Sequence, residues 1–166
     1  VSTDDEKIAQ IAKNNGLMLP WLRPKNISDD STSMFEVLVH AIDWYEENIC
    51  KIFSVILLQP TSPFRSTKDI LTGIELFKKH NSQTVISVTK SSIHPSWQFK
   101  IHRNYLVPYI NSSGLNKRSQ DLKDVYNVNG SFYMFTPKYL KKNKSLYSEK
   151  VIPLIIKDQF RAIDID

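Results

Sequence analysis

Asp164 and Asp166 stand two residues apart in Ala162-Ile163-Asp164-Ile165-Asp166. On an extended strand alternate residues share a face, so this spacing brings both carboxylates to the same side. Two such charges repel each other unless a cation sits between them. Mg²⁺ is the natural candidate, because it takes one or two carboxylates together with substrate phosphates. The competing reading is the polar end of an edge strand with both aspartates solvated, and spacing alone leaves the two open.

A second constellation is Leu57-Leu58-Gln59-Pro60-Thr61-Ser62-Pro63-Phe64-Arg65-Ser66. The apolar run before it reads as a buried strand. Pro60 and Pro63 force the chain out of the sheet, since a central strand does not accommodate two prolines so close together. In open α/β sheets ligands bind at such strand ends. Gln59, Thr61, Ser62 and Arg65 offer an amide, two hydroxyls and a forked guanidinium, a set suited to a ligand bearing hydroxyls and a carboxylate. Turn chemistry is the alternative, with the hydroxyls bonded to local backbone and Arg65 paired with a helix acid such as Asp69.

Arg23-Pro24 followed by Ser28-Asp29-Asp30-Ser31-Thr32 similarly suits a nucleotide, though Asp30, Ser31 and Thr32 could equally cap the next helix. Asn129-Gly130 interrupts the strand pattern YNVNGSFYMF, which indicates a bulge or a close backbone approach to a ligand. Tyr126, Phe132 and Tyr133 in that pattern read as core. The four histidines show no ligand spacing. Lys138, Lys141, Lys142 and Lys144 read as a solvated face.

The rest of the composition excludes more than it assigns. The four glycines, at 16, 73, 114 and 130, allow neither a P-loop nor a dinucleotide fingerprint. Cys50 is the only cysteine, so no intramolecular disulfide and no cysteine metal cluster can form, and a reducing, cytoplasmic setting is expected. No apolar run reaches bilayer length, so no membrane partner is expected. The net charge of +5 suits an anionic small ligand as well as nucleic acid. Because the aromatic residues sit in strand patterns that should be buried, nucleic acid is not expected as a partner.

These groups need a framework to position them. In 166 residues with 41% hydrophobic content there is room for one core, so a single domain is expected over 1–166. Thr3 to Glu6 matches a capping box, and the helix it opens stops at Gly16. A second helix carries Phe35, Val37, Leu38, Ala41, Ile42 and Trp44. A strand over 52–58, a helix over 67–79 and a strand over 84–88 follow, an alternation that marks an α/β fold with a largely parallel sheet. From Ile93 to Tyr109 the pattern changes to antiparallel hairpin material inserted into that framework. A strand over 126–135 resumes it.

Taken in order, VSTDDEKIA, LRPKNISDDST, LLQPTSPFRS, RSQDLKDVYNVNG and IDID resemble the cytidylyltransferases that activate nonulosonic acids, the CMP-sialic acid synthetases and their legionaminic and pseudaminic relatives. The resemblance covers nearly the whole chain, and LQPTSP and the NG strand are its most specific parts. It implies a Rossmann-like nucleotide-diphospho-sugar transferase fold, with a mixed, mainly parallel sheet and an inserted hairpin region, about 93–125, that joins a homodimer. It implies CTP and a nine-carbon keto sugar acid as substrates, with Mg²⁺ as cofactor. Asp164 and Asp166 match the metal-binding pair of such enzymes. Arg23, Asp29, Asp30, Ser31 and Thr32 match their cytidine contacts, and Gln59, Arg65, Arg118, Gln120 and Asn129 their sugar-acid contacts.

The family's glycine-containing triphosphate loop has no match here, and a segment preceding Val1 is expected. Asn127 and Lys123 stand where many members carry arginine and proline, so a sugar acid other than N-acetylneuraminate is expected. Two further readings stay open: a binding module without catalysis, and a nucleotide-sugar pyrophosphorylase using another base.

Overall fold

The computed structural model describes residues 1–81, 84–147 and 150–165. Among these residues the helices are α1 (Glu6–Asn14), α2 (Met34–Asn48), α3 (Thr67–Lys79) and α4 (Pro137–Asn143). The strands are β1 (Val55–Leu57), β2 (Val85–Lys90), β3 (Phe99–His102), β4 (Tyr105–Pro108), β5 (Tyr126–Phe135) and β6 (Ile152–Ile155). The chain divides into two compact units, one of 1–55 with 135–150, the other of 56–134 with 151–166.

The first unit is helical. Asp5, not Thr3, caps α1, accepting from the Ile8 amide at 2.9 Å, while the Thr3 hydroxyl accepts from the Asp5 amide. Gly16, at φ +72°, ends the helix. The Leu17 amide reaches back to the Ala12 carbonyl and the Gly16 amide to the Lys13 carbonyl, so the last carbonyls are satisfied in the manner of a Schellman motif. α2 opens on a full capping box between Ser33 and Glu36. Its buried residues Leu38 and Ile42 lie one turn apart on the same face. Trp21 packs its ring on Trp44 and His40, with centroids 4.6 and 5.3 Å away, which fixes the extended segment after α1 onto α2. Thr136 caps α4 with Pro137 in the first turn, and Lys141 of α4 pairs with Asp43 of α2.

The second unit contains most of the four-stranded sheet, ordered β1-β5-β2-β6. β2 runs parallel to β6 and antiparallel to β5, so the sheet is mixed. Val85, Phe132, Met134, Leu154 and Ile156 form its core with Phe77 of α3. A side chain at Gly73 would lie 2.5 Å from the Phe132 ring, and this small residue lets α3 approach the sheet closely. Phe132 and Tyr133 are buried as expected; Tyr126, at the open end of β5 opposite Lys90, is 44% exposed and is not core.

β3 and β4 form a separate antiparallel hairpin. Its two-residue turn, Arg103-Asn104, has positive φ at both positions, the twist-matched geometry of tight hairpins. The register places Phe99, Ile101, Leu106 and Pro108 on one face, and Ile101 and Leu106 are 76% and 69% exposed. Among the described residues no helix is long and apolar enough to cross a membrane.

Candidate active site

The site is built on a break in β5. β2 pairs Ile86 with Tyr133 and then Val88 with Val128, so β5 passes through residues 129 to 132 where β2 offers only Ser87. The excess loops out as a bulge, made possible by Gly130 at φ +71°. The Ser87 hydroxyl accepts from the Phe132 amide at 2.9 Å and replaces the missing ladder bond. Within the bulge the Asn129 side-chain oxygen accepts from the amide and hydroxyl of Ser131. The side-chain nitrogen of Asn129 is buried and has no hydrogen-bond partner among the described residues. Such a donor costs about 1–3 kcal/mol unless something accepts from it.

The loop after β1 meets this bulge. Ser62, fully buried, donates its hydroxyl to the Asn129 carbonyl at 3.0 Å. The Ile165 amide donates to the Thr61 carbonyl at 2.7 Å, which draws Asp164 alongside, its Oδ1 3.4 Å from the Ser62 hydroxyl. A β-carbon at Gly130 would stand 2.7 Å from the Ser62 hydroxyl oxygen, 2.8 Å from Gln59 Oε1 and 3.7 Å from Asp164 Oδ1. Gln59, Ser62, Asn129, Gly130 and Asp164 therefore converge, although they come from three distant parts of the chain.

Arg65 turns back on the same loop and donates to the Gln59 carbonyl. Its Nε is buried without a partner among the described residues, and burial pulls the guanidinium below its ordinary pKa. Arg65 does not pair with Asp69, whose carboxylate is engaged by Ser66 and Arg161. Gln120 lines a cavity of about 440 Å³ with Ser91, His94, Trp97 and Lys123; Arg118 is exposed on the turn leading into it.

Arg23 and Asp29 to Thr32 belong to the helical unit and make contacts of their own. Arg23 bonds Asp4 at 2.9 Å and Ser28 at 3.2 Å. Asp29 accepts from the Ser31 amide and from the Ser31 and Thr32 hydroxyls, and these bonds hold its carboxyl below the usual range. Asp30 is exposed beside them. None of these residues caps α2, a role taken by Ser33.

The donor set at Asp164 fits Mg²⁺. The carboxylate is exposed and, among the described residues, accepts only the long bond from Ser62. One carboxylate, with the remaining oxygens supplied by phosphate and water, is coordination that Mg²⁺ accepts. Asp166 lies outside the described residues. The sequence marks Gln59 and Ser62 by the polar set of their loop and Asn129 and Gly130 by the break in the strand pattern; that the two meet, and that Gly130 leaves room for both loop side chains, only the convergence shows.

The architecture is that of a known fold. It matches CMP:2-keto-3-deoxy-manno-octonic acid synthetase, solved in complex with CTP, with a TM-score of 0.61 over 95% of this chain and 71% of that one, at 14% identity. The chain belongs to the cytidylyltransferase family, whose model matches residues 1–162. It is 34% identical to the CMP-N,N'-diacetyllegionaminic acid synthase of Legionella pneumophila, over all of this chain and 71% of that protein. Identity is 32% to the pseudaminic acid cytidylyltransferase of Campylobacter jejuni, over 83% of this chain and 60% of that protein. With the N-acylneuraminate cytidylyltransferase of Escherichia coli it is 29%, over all of this chain and 38% of that protein.

Proposed function

We propose that this chain is the catalytic part of a cytoplasmic, Mg²⁺-dependent enzyme that activates a nonulosonic acid with CTP. The anomeric hydroxyl of the sugar acid attacks the α-phosphorus. An oxygen–phosphorus bond forms, the bond from the α-phosphorus to the bridging oxygen breaks, pyrophosphate leaves and the hydroxyl proton passes to solvent. The observation that carries this reading is the buried amide nitrogen of Asn129, unpartnered among the described residues, in a cluster that also gathers the exposed Asp164 carboxylate around Gly130. A donor and an anionic acceptor in one cluster suit a substrate that is itself an acid and reacts beside a phosphate.

The roles divide accordingly. Gln59 and Asn129 hold hydroxyl and carboxylate groups of the sugar acid, with Gln120 and Arg118 contributing from the neighbouring segment, and Arg65 keeps Gln59 in place. The preformed turns at Arg23 and at Asp29 to Thr32 serve the cytidine. Asp164 and Asp166 are the cation ligands. Mg²⁺ held by these two carboxylates would supply charge neutralisation for the leaving phosphates. Most of the remaining rate comes from alignment of two anionic substrates that otherwise repel.

The exposed hairpin face of Phe99, Ile101, Leu106 and Pro108 takes a second copy of the chain, in keeping with the homodimer that the sequence resemblance implies. Light scattering on the full-length protein tests this.

Pyrophosphate release by the full-length protein, with CTP, Mg²⁺ and in parallel N-acetylneuraminate, legionaminate and pseudaminate, tests the reaction. Release is expected with one of the three, and its loss in Asp164→Asn and Asp166→Asn. Silence with all three sugar acids from folded protein would sink the proposed substrate class, and undiminished rates in the two variants would sink the cation ligands.

A further inference from the structure

Asp164 sits on a segment fastened to the loop and helix start at 61–69 by three ties. At one end the Ile165 amide donates to the Thr61 carbonyl. Beyond Asp164 the rings of Phe64 and Phe160 pack with centroids 4.4 Å apart. At the other end Arg161 Nη1 donates to both carboxylate oxygens of Asp69 at 2.9 Å and to the Ser66 hydroxyl oxygen at 3.0 Å, while its Nε donates to Asp158 at 3.1 Å. The two segments run antiparallel, and Asp164 lies between the first tie and the last.

The last tie is the strongest by its chemistry. Asp69 is only 9% exposed, and its carboxylate also accepts from the Ser66 amide at 3.0 Å and the Ser66 hydroxyl at 2.7 Å, completing the capping box of α3. A carboxylate so withdrawn from water needs a charged partner. The described residues supply one, Arg161. The planar fork of an arginine reaches Ser66, Asp69 and Asp158 at once, which a lysine ammonium on a flexible stem cannot do with the same geometry.

We infer that Arg161 is a positioning residue, which uses the buried Asp69 at the start of α3 as a fixed post to hold Asp164 against the Asn129-Gly130 bulge. The inference rests on the proposed role of Asp164 as a cation ligand. It assigns to α3, which carries no group of the site itself, the task of fixing the cation-binding carboxylate.

The test uses the full-length protein with Arg161→Gln, Arg161→Lys, Asp69→Asn and, as reference, Asp164→Asn. Arg161→Gln is expected to raise the Mg²⁺ concentration for half-maximal rate about tenfold, the lower end of what lost supporting contacts cost a metal site. KM for CTP and for the sugar acid should stay within about twofold. Mn²⁺ titrated into protein with CTP and followed by electron paramagnetic resonance should weaken by the same factor. Amide exchange at Ile165 should accelerate, because the clasp opens more often.

Arg161→Lys should fall between the wild type and Arg161→Gln, and Asp69→Asn should resemble Arg161→Gln. Should Arg161→Gln fail to fold, Arg161→Lys carries the test alone. A lowered melting temperature with unchanged Mg²⁺ and Mn²⁺ dependence would make Arg161 a mere brace and overturn the inference. Wild-type cation dependence in Asp164→Asn would instead overturn the role of Asp164, and the inference with it.

Discussion

The two polar clusters that the sequence marks for substrate are held together in opposite ways. Around Arg23 and Asp29 the side-chain bonds mostly join near neighbours: Asp29 to residues two and three positions on, Arg23 to Ser28 five positions on, with Asp4 and the Thr3 carbonyl, both bonded by Arg23, as longer reaches. Around Gly130 the decisive bonds join residues 67 and 102 positions apart, from Ser62 to Asn129 and from Ser62 to Asp164. The first cluster uses its own acceptors and is a finished turn that presents a shape. The second is assembled by the fold and leaves the Asn129 amide nitrogen unpartnered among the described residues. A protein does not gather polar groups from distant segments and leave a buried donor open without a return. Under the proposed function, the first cluster would be a scaffold for a ligand and the second the groups that grip it.

Disturbing the long-range cluster should therefore cost most. Gly130→Ala meets two obstacles at once, a φ of +71° and two polar atoms within 2.8 Å of the new carbon. Strain of about 1–2 kcal/mol for the left-handed backbone adds to about 1–3 kcal/mol of overpacking. We expect a loss of about 2–5 kcal/mol in urea unfolding, with pyrophosphate release near background. An alanine variant of wild-type stability and rate would mean that the bulge is loose and the cluster accidental. Ser62→Ala should come next. It removes the hydroxyl that satisfies the Asn129 carbonyl, for about 1–3 kcal/mol, and kcat should fall more than KM if the bulge and Asp164 must be held together during the reaction.

How far the sequence could be read follows the same division. α3 appears over Thr67–Lys79 as expected, because Ser66 and Asp69 are a local cap and Ile70, Ile74 and Phe77 a local stripe. The hairpin and the β5 bulge were also legible, from alternation and from Asn129-Gly130. The caps of α1 and α2 differ from expectation by one or two residues, since Thr3-Asp4-Asp5 and Asp30 to Ser33 each offer several acceptors and small differences in geometry select among them. β1 is shorter than the apolar run that suggested it, because the Ile52 amide turns to the Glu46 side chain instead of the sheet. Arg161 could not be found at all. Its partner Asp69 is 92 positions away, and no spacing rule joins them.

The smallest expected effect lies in the finished turn, and it can be separated into charge and shape. The Ser31 and Thr32 hydroxyls lower the Asp29 pKa in the folded protein. A carboxyl whose folded pKa is depressed adds stability above its unfolded value, about 3.9, and loses it as pH falls through the lower folded value. Asp29→Asn keeps the acceptor and removes the charge. It should lower the melting temperature slightly at pH 7, flatten its decline below about pH 4, and leave KM for CTP as it was. Asp29→Ala frees both hydroxyls and should raise KM for CTP about threefold to tenfold with kcat preserved, the mark of lost uniform binding. A large fall in kcat for either variant would place this turn among the reacting groups and erase the distinction between the two clusters. A KM change in the asparagine variant alone would show that the nucleotide reads the charge of Asp29 and not the shape it maintains.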